Sequence, residues 1–187
     1  RKHDGLLTAE PFLELALPPE AANWQRRFFQ HSRVDVLSAL MQPSLLIPEG
    51  KADFQLLRCI LRPLLMTAGW LDSMSRPFGI EVGVVPTEDA KVVETHRLMI
   101  RLHKNVCCLV DGDADGLRYI NELAASPTPT AAVIRWHDGA MIEDAIGWIL
   151  AADEATIVEK LAELSKTPPN SAVAVVTYLK AKKMDLI

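Results

Sequence analysis

Between residues 44 and 136, four short apolar runs alternate with amphipathic segments, and this alternation constrains the fold more than any other feature. The runs are SLLIP, IEVGVV, NVCCLV and AAVIRW. Their short length and their β-branched residues are typical of buried strands. Strands separated by helices need crossover connections, which are right-handed and give a parallel sheet covered on both faces. The sequence therefore predicts an α/β fold of the Rossmann type, with a four-stranded, mainly parallel sheet flanked by helices.

Further helices are predicted on both sides of this core. Apolar residues recur at helical spacing from residue 20 to about residue 41, whereas residues 1–19 contain Pro11, Pro18 and Pro19 and are expected to be irregular. MIEDAIGWIL, DEATIVEKLAEL and NSAVAVVTYLKAKK predict three helices after the last strand. Within the core, Pro63 is expected to kink or end the helix of residues 52–66. The predicted parts are a lead-in and helical segment (1–43), a core (44–140) and a C-terminal helical part that completes the active site (141–187).

Composition excludes several classes of protein. The chain has 20 Lys and Arg against 24 Asp and Glu, and its net charge of −4 argues against a generally basic nucleic-acid binder. No apolar run approaches the roughly 18–20 residues of a membrane span. The three cysteines lack the paired spacing of a zinc module or a disulfide framework, so they are interpreted as free thiols of a cytoplasmic protein. The N-terminus lacks an initiator Met and a signal peptide, so we expect the chain to be part of a longer protein.

The stretch VCCLVDGDADGLRYINE, residues 106–122, fits two different structures. Its acids and one glycine match the calcium loop of an EF-hand position for position: Asp111, Asp113, Asp115, Gly116 and Glu122. A calcium loop must be entered from a helix, however, and VCCLV is the most strand-like run of the chain. Arg118 also occupies a position where that loop needs an apolar residue. We therefore interpret the stretch as a strand that ends in carboxylates.

Carboxylates follow two predicted strands at the point where each strand ends. Asp111 and Asp113 follow one strand, while Glu49 follows another and Asp53 lies one helical turn beyond it. Functional groups of open parallel sheets gather at the carboxyl ends of the strands. Converging carboxylates repel one another unless cations neutralise them, and hard oxygen ligands favour magnesium, manganese or calcium over zinc. The alternative is that each acid is an ordinary helix-start or turn residue, which is the better interpretation for Asp53 or Asp115 alone.

The two acidic motifs, EGKAD (49–53) and DGDADG (111–116), resemble those of the TOPRIM domain. This module of topoisomerases, primases and several nucleases holds divalent metal, and the resemblance covers about residues 44–136. FFQHSRVDVLSALMQPSLLIPEGKADFQLL is similar to the entry of the TOPRIM region in OLD-family (overcoming lysogenization defect) nucleases. MIEDAI is similar to an acidic helix of that family. The wider resemblance, which we take to be to class 2 of the family, covers roughly residues 24–187.

The resemblance implies a metal-dependent DNA endonuclease or nickase that hydrolyses phosphodiesters with two Mg²⁺ ions, or with Mn²⁺ or Ca²⁺ in their place. The implied metal ligands are carboxylates: Glu49, Asp53, Asp111, Asp113 and Glu143. The implied catalytic residues are Glu49, Asp111, Asp113 and Lys183. The lysine would neutralise charge that develops on the scissile phosphate. Many relatives have Glu where this chain has Asp53, and the shorter side chain would place its oxygen differently.

The resemblance also implies partners. OLD-family proteins carry an ATPase domain before this region, and this chain has no G-x-x-x-x-G-K-[ST] loop, so we expect it not to bind ATP itself. The expected partners are DNA, the preceding ATPase domain of the same chain and an accessory helicase, with no membrane. Weak contacts with DNA are expected from basic residues on predicted helices: Arg58, Arg62, Lys180 and Lys182. Arg97, Arg101 and Lys104 form a second basic strip, although such strips are more often solvated faces.

Two other functions also place acids at the ends of strands. A non-catalytic TOPRIM-like module that binds nucleic acid or protein stays open as the alternative. A phosphoryl-accepting receiver domain would need a Thr or Ser and a Lys on later strands, and AAVIRW lacks them. His137, followed by Asp138 and Gly139, is interpreted as a turn residue. The tryptophans show no stacking pattern in the sequence and are interpreted as core or interface residues: Trp24, Trp70, Trp136 and Trp148.

Overall fold

The structure is a computed structural model that describes residues 2–3, 6–7, 23–66, 82–128, 130–164 and 170–182. Its strands are β1 (Lys2–His3), β2 (Leu6–Leu7), β3 (Ser44–Pro48), β4 (Val82–Val84), β5 (Val106–Val110) and β6 (Ala132–Arg135). Its helices are α1 (Asn23–His31), α2 (Arg33–Leu40), α3 (Lys51–Met66), α4 (Val92–Met99), α5 (Ala114–Ala124), α6 (Ile142–Ala151), α7 (Glu154–Leu164) and α8 (Ala172–Lys182). From β3 to β6, strands and helices alternate as predicted.

The four longer strands form a parallel sheet in the order β4-β3-β5-β6, which confirms the predicted α/β fold. Leu46 of β3 pairs with Val84 of β4, and Pro48 of β3 pairs with Leu109 of β5. Because β3 and β5 are parallel neighbours, they reach the same edge of the sheet at their carboxyl ends. β1 and β2 form a separate antiparallel pair, so the expectation of an irregular lead-in is wrong for these residues.

The two central strands are apolar because helices cover the sheet. Leu45 and Ile47 of β3 are fully buried, and so are Val106 and Cys108 of β5. Near-continuous apolar strands are the pattern of a parallel sheet enclosed on both faces. The helices contribute further buried residues to this core, among them Phe29, Val36, Val92 and Met99. The edge at which β3 and β5 end is therefore supported by a packed interior.

The helices before and after β3 differ from their predicted extent. The helical pattern of residues 20–41 forms two helices, α1 and α2, separated at Ser32, whose φ of −102° and ψ of 17° depart from helical values. α3 continues through Pro63 to its end at Met66, so the proline does not end this helix. An interior proline is unfavourable by about 3 kcal/mol, a local penalty that the rest of a long helix outweighs.

α4 is shorter than the predicted helix of residues 88–103. It begins at Val92 because the chain first turns at Asp89 and Ala90. Ala90 has a φ of 59°, in the left-handed region that disfavours residues with a Cβ. The turn delays the helix and leaves Asp89 in the loop between β4 and α4.

The chain divides into two compact units. The first contains residues 1–109 and 118–134, and the second contains residues 110–117 and 135–187. In the second unit α6 packs closely on α8, since a methyl group at Gly147 would lie 2.6 Å from Val176 Cγ2. The boundaries predicted at residues 43 and 140 stay predictions. No helix in the described ranges is long and apolar enough to cross a membrane.

Candidate metal centre

In the first unit, the chain turns after β3 and enters α3 at once. Glu49 and Gly50 form this turn, and Lys51 is the first residue of the helix. Asp53 lies in the first turn of α3 and is only 3% exposed. The dipole of the helix favours a negative charge at its N-terminus, so this position stabilises a carboxylate even before any metal is considered.

Asp89 is a further acid at this turn that sequence reasoning missed. Its Oδ1 atom accepts a hydrogen bond from the backbone N–H of Lys51 at 3.1 Å, so Asp89 caps the N-terminus of α3. A methyl group at Gly50 would lie 2.6 Å from Asp89 Oδ1 and 3.2 Å from Asp53 Oδ2. The two carboxylates therefore flank the same glycine. Its signal in the sequence is weak, because Asp89 comes five residues after the end of β4 and directly follows another acid, Glu88.

In the second unit, the D-G-D motif follows β5 directly. Asp111 is 5% exposed, whereas Asp113 lies on the surface. Asp113 Oδ1 accepts a hydrogen bond from the N–H of Gly116 at 2.8 Å, so this side chain caps α5. The calcium-loop alternative is wrong, because the motif is entered from a strand and residues 114–122 are helical.

The loop after β6 is hydrogen-bonded to the glycine of the D-G-D motif. Gly112 donates its N–H to the carbonyl oxygen of Ala140 at 2.7 Å, and its own carbonyl oxygen accepts the N–H of Gly139 at 2.9 Å. A methyl group at Gly112 would collide with the carbonyl oxygen of His137 and lie 2.8 Å from that of Ala140. Only glycine allows the two backbones to approach so closely. Packing against this loop, in addition to the turn, therefore requires glycine at position 112.

Arg135 is a second residue of this site that sequence reasoning missed. Its Nη2 atom donates to the carbonyl oxygen of Gly112 at 2.7 Å, and its Nη1 atom donates to Asp138 Oδ1 at 2.6 Å. The planar guanidinium thus joins the D-G-D motif to the loop after β6 with two directed bonds. No local pattern in the sequence signals this role, because it depends on a strand end and a loop that meet only in the fold.

Glu143 is a buried acid in the first turn of α6, with 1% of its surface exposed. Beside it, Asp144 Oδ2 accepts the N–H of Met141 at 3.1 Å and so caps the helix. Because Gly112 is bonded to Ala140, the start of α6 lies one short segment from the D-G-D motif. The acids predicted from sequence within the second unit are Asp111, Asp113 and Glu143. The backbone segments that carry them are joined by the hydrogen bond between Gly112 and Ala140.

His137 lies in a turn, as predicted, and its ring stacks on that of Trp148 from α6. The ring centroids are 5.3 Å apart and the ring planes are inclined by 20°. Trp148 is 54% exposed, so of its two predicted places, core or interface, the core is wrong and the interface stays a prediction. Helix-surface spacing alone cannot reveal the stack, because it requires the loop after β6 to fold back over α6.

The predicted DNA-contacting residues are described only in part. Arg58 donates to Asp35 Oδ1 at 2.8 Å and lies over the ring of Phe54, 5.3 Å from its centroid. Arg97, Arg101 and Lys104 are exposed, as a solvated strip would be. The remaining basic residues have side chains that lie outside the described part of the chain: Arg62, Lys180, Lys182 and Lys183.

His96 and Cys108, both in the first unit, have shifted pKa values. His96 is fully buried, and this burial, together with the charge of Arg97, lowers the pKa of its imidazole. Neither ring nitrogen of His96 has a hydrogen-bond partner among the described residues. Burial also raises the pKa of the Cys108 thiol to about 12. Both groups are therefore neutral packing residues at pH 7.

Among the described residues, no group of three or more His, Cys, Asp or Glu side chains is arranged so that it could hold a metal ion. The acids fall into one set per unit. The first set is Glu49, Asp53 and Asp89, and the second set is Asp111, Asp113 and Glu143. Comparison of the chain with family models, with curated proteins and with solved structures finds no match in any of the three.

Proposed function

We propose that the protein is a metal-dependent DNA endonuclease or nickase that hydrolyses phosphodiesters with two divalent ions. The observation that carries the proposal is the register of the two central strands, in which Pro48 of β3 pairs with Leu109 of β5. Glu49 follows the first of these residues, and Asp111 follows the second by two positions. Because parallel strands end at the same edge of a sheet, we expect their acids to act on one substrate.

The chemistry of the donor set fits magnesium or manganese. All the proposed ligands are carboxylate oxygens, which hard divalent cations prefer to nitrogen or sulfur. Glu49, Asp111 and Asp113 would hold the first ion, and Asp53 and Glu143 would complete the second. Asp89 adds a carboxylate beside Asp53. Carboxylates of neighbouring strand ends repel one another, and bound cations would remove this repulsion.

Two bound divalent ions would supply an activated water and a positive charge beside the departing oxygen. The residues of this chain would position the phosphate and exclude misaligned substrates. The fastening of Gly112 to the loop after β6 would keep Asp111 and Asp113 in fixed places, which is the kind of rigidity that catalysis requires. Lys183 would neutralise charge that develops on the scissile phosphate. The net charge of −4 implies weak, salt-sensitive binding of DNA that depends little on sequence.

A preceding ATPase domain of the same chain and an accessory helicase remain part of the proposal as partners. They are implied by the resemblance of FFQHSRVDVLSALMQPSLLIPEGKADFQLL and MIEDAI to OLD-family nucleases. A cytoplasmic location belongs to the same proposal.

The alternative is a non-catalytic TOPRIM-like module that binds nucleic acid or protein. A specific observation favours it, since two of the acids already have structural roles. Asp89 caps α3 and Asp113 caps α5. Acids that only cap helices would need no metal. The ends of the strands would then form a surface that binds partners and not a catalytic site.

The decisive experiment measures nicking of supercoiled plasmid with Mg²⁺, Mn²⁺ or Ca²⁺. Glu49→Gln and Asp111→Asn should each reduce the rate by at least about 100-fold, because even indirect partners of metal ligands contribute 10- to 100-fold. Glu122→Gln, which changes an exposed acid on α5, is the matched control and should nick like the wild type. Nicking that survives Glu49→Gln and Asp111→Asn, or no nicking with any of the three ions, would contradict the nuclease proposal.

A second pair of variants separates capping from metal binding. Asn is as good a helix cap as Asp but carries no charge. Asp113→Asn should therefore keep the stability of the protein and lose affinity for Mn²⁺ in isothermal titration. If Asp113→Asn binds Mn²⁺ like the wild type, Asp113 is a cap and not a ligand, and the alternative gains support.

A further inference from the structure

His137 and Trp148 form a stacked pair that is exposed, whereas large aromatic side chains are usually buried. Trp148 is 54% exposed, and His137 is also on the surface. Their rings lie 5.3 Å apart and nearly parallel, with 20° between the planes. Holding a tryptophan in water forgoes the stabilisation that its burial would give. Each ring covers one face of the other, and the rest of the pair is open to solvent.

This aromatic surface belongs to the same connected backbone as the D-G-D motif. His137 lies in the loop whose Gly139 and Ala140 are bonded to Gly112. Arg135, the last residue of β6 before this loop, donates to the carbonyl oxygen of Gly112 at 2.7 Å. The loop is thus held by backbone and guanidinium bonds, and His137 is carried on a fixed support.

We propose that His137 and Trp148 form a stacking platform for an unpaired nucleobase. The inference rests on the proposed function and deepens it, because it assigns the enzyme a substrate with an unpaired base beside the cleavage site, as single strands, flaps and the unwound regions of a supercoiled plasmid offer. Stacking on aromatic rings is tolerant of sequence, since every base has a π face. In a duplex both faces of a base are covered by its neighbours, so only an unpaired or unstacked base can use the platform.

The placement fits the demands of phosphodiester hydrolysis. A base stacked on His137 would anchor the nucleotide chain beside the loop that carries Asp111 and Asp113. The guanidinium of Arg135 adds a positive charge to this side of the loop, although it is partly balanced by Asp138. An acidic protein gains little from general attraction to phosphates, so a stacking contact would supply binding that net charge does not.

The test uses the whole chain and measures fluorescence anisotropy of a labelled single-stranded oligonucleotide in EDTA, so that no divalent ion can support cleavage. Three ligands are compared: the single strand, the same strand with abasic sites and the matching duplex. The wild type should bind the single strand more tightly than the other two, by about 5- to 100-fold for one stacked base. Equal binding of the normal and the abasic strand would overturn the inference without any mutation. A single-stranded RNA of the same sequence should also bind, since stacking does not depend on the sugar.

Variants locate the contact on the protein. Trp148→Ala and His137→Ala should weaken single-strand binding by a similar factor and leave duplex binding unchanged, while Trp148→Phe should keep most of it. Tyr178→Ala is the matched control, because Tyr178 is an equally exposed aromatic residue, at 58%, on α8. Single-strand binding that is unchanged in Trp148→Ala, or reduced equally in Tyr178→Ala, would overturn the inference.

The failure of this inference can be told apart from the failure of the proposed function. Base-dependent binding is measured without divalent ions and cleavage is measured with them, so each claim has its own readout. Metal-dependent nicking without base-dependent binding would overturn the platform and leave the nuclease standing. Base-dependent binding that requires Trp148, with no cleavage in Mg²⁺ or Mn²⁺, would support the platform and contradict the nuclease.

Discussion

Gly112 lies between the two aspartates of the D-G-D motif, and replacing it with alanine perturbs a tightly packed stretch of backbone in the candidate metal centre. The new methyl group would collide with the carbonyl oxygen of His137 and lie 2.8 Å and 2.9 Å from the carbonyl oxygen and the nitrogen of Ala140. These are backbone atoms, so a side-chain rotation cannot relieve the clash. The loop of residues 136–140 must move away from the motif.

The magnitude follows from the bonds that this movement breaks. Gly112 takes part in two backbone hydrogen bonds, to Ala140 and to Gly139, and in a third from the guanidinium of Arg135. A neutral hydrogen bond contributes about 0.5–1.5 kcal/mol and one to a charged group about 1.5–3 kcal/mol. Allowing for partial relaxation, Gly112→Ala should reduce the free energy of unfolding by about 2–5 kcal/mol. For a chain of this length that corresponds to a melting temperature lower by roughly 5–15 °C.

The assay is thermal unfolding followed by circular dichroism, with Gly139→Ala as the matched control. Gly139 lies in the same loop and has a φ of +75°, but a methyl group there would meet no atom within 4 Å. Gly139→Ala should lower the free energy of unfolding only by the strain of an alanine in the left-handed region, about 1–2 kcal/mol. Titration with Mn²⁺ should also show weaker binding in Gly112→Ala than in Gly139→Ala. Equal melting temperatures for the wild type and Gly112→Ala would refute the packing described for this loop.

Three further predictions concern single residues. Asp113→Ala should lower stability by about 1 kcal/mol in urea denaturation, because it removes the cap of α5, whereas Asp113→Asn should not; equal losses would contradict the capping role. The pKa of His96 is lowered in the fold, so as the pH falls below its unfolded value of about 6.5 the unfolded chain takes up a proton that the folded chain does not. Stability should therefore fall towards acid by at most about 1.4 kcal/mol per pH unit from this group, and His96→Leu should flatten the curve measured between pH 7.5 and 5. Identical curves would contradict this account. With its pKa raised to about 12 by burial, Cys108 should be alkylated by iodoacetamide at pH 8 only after unfolding in urea; mass spectrometry that finds rapid labelling of the folded protein would contradict its burial.

The strands and the helices between them were determined largely by the sequence itself. Near-continuous apolar runs such as VCCLV can be recognised as strands, because a strand buried on both faces needs such a run. The same reasoning located the D-G-D motif at a strand end and excluded a calcium loop, which requires a helix at its entry. Both conclusions depend only on neighbours within a few residues, for which periodicity and turn chemistry are sufficient. Which acids bind metal stays a prediction, because that depends on distances that no local pattern encodes.

The contacts that shape the candidate site were decided by the tertiary structure. Asp89 caps α3 from 38 residues away in the chain, and Arg135 reaches Gly112 from 23 residues away. Trp148 has helical spacing that fits a buried position equally well, yet it is 54% exposed, and what covers one of its faces is the ring of His137 from the loop after β6. Hydrogen bonds and ring contacts of this kind act over a few ångströms, so they form between residues that the fold brings together. Propensity and periodicity act along the chain, which is why they specify the elements and leave such pairings undetermined.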